Sequence, residues 1–131
     1  MPTPDFEPRY TLLTLALLAA IYWMSSLPDV SSTEPDPLIQ LASNLAHAPL
    51  FAGLAFCLLK TLSGGQPGQE VSWRVYWAVF LGAGTFAALD EWHQSFVAGR
   101  YPSVTDLLLD LTGIVGMLLI LRRRALRETN P

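Results

Sequence analysis

The sequence is poor in cysteine and in charge, and each shortage excludes a class of protein. Its single cysteine, Cys57, excludes a scaffold held together by disulfide bonds. Charged residues make up 15% of the 131 residues, whereas a soluble domain usually carries about 25%. The 8 basic residues are outnumbered by 11 acidic ones, for a net charge of −3. This balance excludes a nucleic-acid-binding module, so nucleic acid is not an expected partner.

Apolar residues are abundant instead. They make up 51% of the sequence, and the mean hydropathy is +0.35. This apolar content excludes a disordered chain, which would lack the residues needed to build a packed interior. The length is too short for two domains. We therefore predict an integral membrane protein with a single domain over residues 1–131.

Four long apolar segments are separated by clusters of proline and glycine. They run over residues 10–27, 38–62, 71–96 and 103–121. Each segment is close to or above the ~20 residues that a helix needs to cross a bilayer. None shows the alternation of a barrel strand. The sequence predicts an all-α fold, an up-down bundle of four transmembrane helices.

The positions of Lys and Arg predict that both termini lie in the cytoplasm (N-in/C-in). In that orientation seven of the eight basic residues lie on the cytoplasmic side, and only Arg100 lies outside. Basic residues favour the cytoplasmic side of bacterial membranes. Small residues within the spans are expected at helix contacts, because close backbone approach stabilises helix pairs in lipid. These are Ala48, Ala52, Gly82, Gly84, Ala87, Ala88, Gly113 and Gly116.

Ionisable residues inside the spans are the most informative anomaly. A charge at the centre of a transmembrane helix costs about 2.5–3.5 kcal/mol on insertion scales. The residues concerned are His47, Asp90, Glu91, His93, Asp106 and Asp110. The helical rise places them in the outer half of the membrane, on three different helices. This shared depth predicts one polar pocket in the outer half of the bilayer.

Spacing places several of these side chains on common helix faces. Asp90 and Gln94 are four residues apart, as are Asp106 and Asp110. The run from Ser103 to Asp106 resembles a capping box at the start of the fourth helix. Arg100, in the outer turn, has two interpretations. It either forms a structural salt bridge or binds a phosphate or carboxylate of a ligand.

These residues resemble the VanZ-like family of bacterial membrane proteins. The resemblance rests on the segments Trp23-Met24-Ser25-Ser26, His47-Ala-Pro-Leu-Phe51, Leu89-Asp-Glu-Trp-His-Gln-Ser-Phe-Val-Ala-Gly-Arg100, Ser103-Val-Thr-Asp106 and Asp110-x-x-Gly113. It implies a multi-pass protein of the bacterial inner membrane, in contact with membrane lipids. One namesake of the family is linked to resistance to glycopeptide antibiotics, which points to the cell envelope. The resemblance implies no settled reaction.

The first functional hypothesis is an intramembrane enzyme that acts on a lipid or a cell-wall-linked amphiphile. Closely spaced carboxyl groups repel when ionised, so one would keep its proton as a general acid while its neighbour acts as a base. The candidate catalytic residues are Asp90, Glu91 and His47. The candidate substrate-binding residues are Arg100, Gln94, Asp106, Asp110 and Ser103. Ser25 and Ser26 are weaker candidate nucleophiles, because no Ser-His-Asp spacing is evident.

Three alternatives remain open. A binding module without catalysis, linked to antibiotic resistance, would use the same pocket to hold an amphiphile. Proton or ion translocation is disfavoured, because residues 75–88 and 113–121 carry no acidic or basic residue to continue a path. The histidines and carboxylates include potential zinc ligands, but His-Glu-x-x-His spacing is lacking. We therefore predict no metal and no cofactor. The oligomeric state is left open.

Overall fold

The computed structural model describes residues 7–28, 37–65 and 71–128, and within residues 37–44 it describes the backbone alone. Over these ranges the chain forms four α-helices and no strand. The helices are α1 (Pro8–Ser26), α2 (Pro37–Leu62), α3 (Trp73–Gln94) and α4 (Val104–Glu128). The predicted all-α fold is confirmed.

Local chemistry accounts for several of the helix ends. α1 begins at Pro8. The first N–H groups of a helix have no partner within the helix, so a proline there loses no hydrogen bond. After α2, Gly64 and Gly65 adopt positive φ angles of 63° and 76°, which glycine tolerates without steric cost. The Gly65 N–H donates to the Lys60 carbonyl at 2.9 Å and closes the last turn of α2. α4 continues past the predicted end at residue 121, because arginine, alanine and leucine are strong helix formers.

The four helices alternate in direction. Near the C-terminal end of α1, Ser25 hydrogen-bonds to Asp90, which lies near the C-terminal end of α3. His47, in the first half of α2, contacts Asp110 in the first half of α4. Glu91, beside Asp90 on α3, places a carboxylate oxygen within 4.8 Å of ligand atoms of both His47 and Asp110. The ends of α1 and α3 therefore lie beside the N-terminal halves of α2 and α4, as an up-down bundle requires. We refer to this end of the bundle as the polar end.

α2 and α4 approach each other closely at Gly113. α2 contacts all three other helices and packs most extensively against α4. A Cβ atom placed on Gly113 would collide with the carbonyl oxygen of Ala48. Only glycine lets the two backbones come this close, which is the role expected of a small residue in lipid.

The other small residues divide into two groups. A Cβ atom on Gly82 or Gly84 would meet a side chain of a neighbouring helix at 3.7 or 3.4 Å, and Ala87 is fully buried. The expectation was wrong for Gly116 and Ala88. Nothing lies within 4 Å of a Cβ atom on Gly116, and Ala88 is exposed. These two residues point away from the helix contacts.

Apolar residues form both the middle of the bundle and much of its outer surface. Phe51, Leu54, Val79 and Ile114 are almost completely buried in the core. Among the described residues, two helical segments are long and apolar enough to cross a membrane, Leu45–Leu62 in α2 and Val104–Glu128, which is α4. α1 and α3 do not meet the same measure.

Candidate functional site

Seven polar side chains from all four helices lie together at the polar end. Six of them are buried and the histidine is partly buried. We call them the polar cluster: Ser25, His47, Asp90, Glu91, Gln94, Asp106 and Asp110. Buried polar groups are costly unless they find partners, so the contacts within the cluster indicate what it does.

Ser25, Asp90 and Gln94 form a hydrogen-bonded triangle between α1 and α3. The Ser25 Oγ donates to Asp90 Oδ2 at 2.7 Å. The Gln94 Nε2 donates to the same oxygen at 3.1 Å and lies 3.4 Å from Ser25 Oγ. Asp90 and Gln94 are one helical turn apart on α3, so both reach the same face. This arrangement fixes the Ser25 hydroxyl on a carboxylate oxygen.

His47 and Asp110 face each other across the contact between α2 and α4. His47 Nδ1 lies 3.2 Å from Asp110 Oδ1, although the two are not aligned as a hydrogen bond. His47 precedes Ala48, and Asp110 lies one turn before Gly113, so the close approach of those two residues holds the pair together. Asp110 is 0% exposed.

Glu91, and not Asp106 as the sequence predicted, accepts the hydrogen bond of the Ser103 N–H at the start of α4. Ser103 Oγ accepts a hydrogen bond from the Thr105 N–H at 3.1 Å, as an N-cap side chain does. The Ser103 N–H donates to Glu91 Oε2 at 2.9 Å, whereas a capping box would direct it to Asp106. Asp106 is therefore free of a capping role, and its Oδ1 is buried.

Several oxygens of the polar cluster have no hydrogen-bond partner within the described part of the chain. They are Asp90 Oδ1, Glu91 Oε1, Asp106 Oδ1 and both carboxylate oxygens of Asp110. Native proteins leave few buried polar atoms unpaired. A proton, a water molecule, a cation or a ligand donor would satisfy these oxygens.

Arg100 and His93 lie beside the cluster and contact the end of α1. Arg100 donates from Nε to the Leu27 carbonyl at 3.2 Å and from Nη2 to the Met24 carbonyl at 3.0 Å. These bonds satisfy carbonyl groups that the end of a helix leaves free. His93 Nε2 lies 3.0 Å from Ser26 Oγ. Of the two interpretations of Arg100, the structural one has visible contacts, although they involve carbonyl groups and not a salt bridge.

A cavity of about 80 Å³ gives access to the polar cluster. Ser25, His47 and Arg100 form its polar side. Its apolar lining comes from α1 and α2 and consists of Ile21, Met24, Ala46, Leu50 and Phe51. The cavity is smaller than the roughly 300–1,000 Å³ of pockets that enclose a whole ligand. It has room for the polar group and the adjoining carbons of an amphiphile, between the polar side chains and the apolar lining.

Comparison with known proteins identifies the family. The sequence profile described as VanZ/LLP1 matches residues 5–126, which is nearly the whole chain. The chain belongs to the VanZ/LLP1 family. No curated protein and no solved structure matches it.

In this VanZ/LLP1 protein most of the residues singled out in the sequence come together. All three candidate catalytic residues (Asp90, Glu91 and His47) are members of the polar cluster. Of the candidate substrate-binding residues, Gln94, Asp106 and Asp110 also belong to it. Arg100 lies at the cavity, and Ser103 caps α4.

The contact between Ser25 and Asp90 is not predicted from the sequence. The chain has no serine, histidine and aspartate at the spacing of a familiar triad, so the spacing gives no indication of it. The structure pairs Ser25 directly with Asp90, 65 residues away, without a histidine between them. The signal available in the sequence was the position of Ser25 at the end of the first span, at the same depth as the acids.

Proposed function

We propose that this VanZ/LLP1 protein crosses the bacterial inner membrane four times, with both termini in the cytoplasm and the polar end in the outer half of the bilayer. The distribution of polarity supports four spans. α1 and α3 expose large apolar side chains, among them Leu12, Leu15, Leu81 and Leu89. Carboxylic acids are buried inside the same bundle. Apolar groups outside and ionisable groups inside are expected of a helix bundle in lipid.

The basic residues support the orientation. Arg122 near the end of α4 lies over the ring of Trp73 at the start of α3, 5.0 Å from the ring centroid. An aromatic ring under an arginine is typical of the membrane–water interface. This contact lies at the end of the bundle opposite the polar end, where the other C-terminal arginines also lie. The positive-inside preference then assigns that end to the cytoplasm.

We further propose that the protein is an intramembrane enzyme that cleaves or transfers an ester group of an amphiphile in the outer leaflet. One observation carries this proposal. The Ser25 hydroxyl donates a 2.7 Å hydrogen bond to Asp90 and also lines the cavity. A nucleophile within hydrogen-bonding reach of a base, with the base oriented by a third group, is the general signature of covalent catalysis. Gln94 is that third group.

The reaction follows from this geometry. Asp90 Oδ2 accepts the Ser25 proton as Ser25 Oγ forms a bond to the ester carbon or phosphorus of the substrate. The bond to the leaving alcohol then breaks, and the alcohol departs with the proton that Asp90 returns. Water or a second alcohol then attacks the Ser25 ester and gives its proton to Asp90. The bond from the ester carbon or phosphorus to Ser25 Oγ breaks, and Asp90 returns the proton to Oγ, which regenerates the hydroxyl. Proton transfer of this kind contributes roughly 10²–10⁴-fold to a rate.

The cavity favours a substrate with an apolar chain and an anionic group. Ile21, Leu50 and Phe51 provide apolar surface, and the Arg100 guanidinium provides positive charge at the same cavity. Two of the Arg100 N–H groups hold the end of α1. Because arginine carries five donors, the others remain to bind a phosphate or carboxylate.

The experiment uses an alkyl fluorophosphonate, which modifies activated serines, on purified protein in lipid nanodiscs. Peptide mass spectrometry is expected to find the adduct on Ser25. Asp90→Asn is expected to slow modification by about 100-fold or more, because the base is removed. The matched control is Ser26→Ala. The Ser26 hydroxyl donates to the Tyr22 carbonyl at 2.7 Å and lies apart from Asp90, so its loss leaves labelling unchanged.

Two results would overturn the enzyme proposal. One is an unmodified Ser25 in folded wild-type protein. The other is an equal rate of modification in wild type and Asp90→Asn. If the alkyl probe binds reversibly in the cavity and no adduct forms, the protein is instead a binding module for lipids or amphiphilic antibiotics.

A further inference from the structure

A second group within the polar cluster has the composition of a metal site. His47 on α2, Glu91 on α3 and Asp110 on α4 each present one ligand atom, and these atoms all lie within 4.8 Å of one another. None of the three takes part in the hydrogen bonds between Ser25, Asp90 and Gln94. The group therefore shares no hydrogen bond with the proposed reacting pair.

The buried oxygens of this group point to a missing partner. Asp110 is 0% exposed, and neither of its carboxylate oxygens has a hydrogen-bond partner in the described part of the chain. Glu91 is 7% exposed and uses Oε2 to accept the Ser103 N–H, which leaves Oε1 buried and unpaired. The group thus holds three buried oxygens without a hydrogen-bond partner among the described residues, and one oxygen of each carboxyl group lies within 4.8 Å of a nitrogen of His47.

A single proton would leave most of these buried oxygens without a partner. A proton held between His47 Nδ1 and Asp110 Oδ1 would satisfy one carboxylate oxygen and leave Asp110 Oδ2 and Glu91 Oε1 without partners. When both carboxyl groups are ionised beside a neutral imidazole, as metal ligands are, the group carries a charge of about −2. One divalent cation balances that charge and serves both carboxylates and the imidazole at once.

We propose that His47, Glu91 and Asp110 bind a divalent transition-metal cation of the zinc or manganese type. One imidazole with two carboxylates suits these borderline and hard cations rather than soft ones. The 3.2 Å between His47 Nδ1 and Asp110 Oδ1 is close to the separation of about 3.3 Å between two ligands of a tetrahedral ion with bonds near 2.0 Å.

Three protein ligands leave at least one coordination position open. Structural zinc sites usually have four protein ligands, whereas catalytic sites have three and keep a position for water or substrate. His47 also lines the cavity. An ion held by these three residues would therefore lie beside the cavity, and its open coordination position would be available to a ligand there. An anionic oxygen of an amphiphile is the ligand class that fits it.

The test is metal binding to the full chain in nanodiscs after treatment with a chelator. Added Co²⁺ is expected to bind at one ion per chain and to produce visible d–d absorption, and Zn²⁺ is expected to displace it. His47→Gln and Asp110→Asn are each expected to weaken Co²⁺ binding by at least about 10-fold, since even outer-shell changes weaken metal sites by 10–100-fold. His93→Gln, the same change at the other histidine, is the matched control and keeps wild-type affinity.

The outcomes separate this proposal from the enzymatic one. Asp90→Asn is expected to lose fluorophosphonate labelling and to keep Co²⁺ binding. Asp110→Asn removes a buried charge, and circular dichroism of the helices checks that it folds; His47→Gln provides a second, independent loss of a ligand. The metal proposal is overturned if folded wild-type protein binds neither Co²⁺, Zn²⁺ nor Mn²⁺. It is also overturned if both ligand variants bind as well as the wild type.

Discussion

The hydrogen bond between Ser25 and Asp90 joins two side chains that are distant in sequence and buried in a largely apolar bundle. In such surroundings a hydrogen bond is stronger than in water, and an unpaired polar group costs more. Buried oxygens without partners lie on Asp90, Glu91, Asp106 and Asp110. A bundle that needed polar groups only for cohesion would be expected to pair them. The unpaired atoms therefore support our proposal that the polar end is a functional site.

Arg100 is expected to stabilise the fold through its contact with the end of α1. Its guanidinium spans the carbonyls of Met24 and Leu27, a fork that lysine cannot reproduce. We expect Arg100→Lys to lower the free energy of unfolding by about 1 kcal/mol, because these bonds are partly exposed to solvent. The melting temperature in nanodiscs would then fall by about 3–5 °C.

The control for Arg100 is Arg123→Lys, at an exposed position on α4. We expect that variant to melt within about 1 °C of the wild type, since exposed substitutions rarely exceed 0.5 kcal/mol. An Arg100→Lys protein as stable as this control would show that the contact with α1 contributes nothing.

The sequence allowed us to predict that the acids share one end of the bundle. It did not allow us to predict which side chains contact them. Helical rise fixes depth from residue number alone. The partner of a side chain depends in addition on how each helix is rotated about its axis. α1 is apolar around most of its circumference, so no polar stripe indicated that Ser25 faces Asp90. The capping of Ser103 by Glu91 was hidden for the same reason.

At the scale of helices, the contact between α2 and α4 controls the geometry of the site. Gly113 allows α4 to approach the Ala48 carbonyl, and His47 and Asp110 flank this contact. Their 3.2 Å separation is therefore a consequence of helix packing. Any change that separates the two backbones also separates the two side chains.

Gly113→Ala tests this dependence. The added Cβ atom would collide with backbone rather than with a flexible side chain, so the helices must move apart. Overpacking of this kind typically costs 1–3 kcal/mol. We expect a lower melting temperature and at least about 10-fold weaker Co²⁺ binding in nanodiscs.

Gly116→Ala is a matched control on the same helix, one turn further along. Nothing lies within 4 Å of its added Cβ atom, and alanine favours a helix over glycine by up to about 1 kcal/mol. We expect unchanged or higher stability and wild-type Co²⁺ binding. If the two variants behave alike, the close approach at Gly113 does not position the site.

The helices themselves were largely predictable, and their exact ends were not. The apolar segments located all four helices, because a run of that length and composition leaves few alternatives. α4 continues to Glu128 because charged residues with high helix propensity extend a helix beyond its apolar part. Hydropathy indicates where an apolar segment ends, and a helix can continue beyond that point.

In the proposed orientation of the whole molecule, the cavity beside the polar cluster opens toward the outer side of a membrane. The measurement is thiol accessibility in sealed bacterial spheroplasts, in a Cys57→Ser background that removes the single native cysteine. Ala46→Cys places a thiol at the cavity, where Ala46 is exposed. Arg123→Cys places one near the opposite end, on the exposed surface of α4.

We expect a charged, membrane-impermeant thiol reagent to modify Ala46→Cys in intact spheroplasts and to modify Arg123→Cys only after the membrane is permeabilised. That result would place the cavity outside and the arginine-rich end inside. Modification of Arg123→Cys in intact spheroplasts, with Ala46→Cys protected until permeabilisation, would contradict the account.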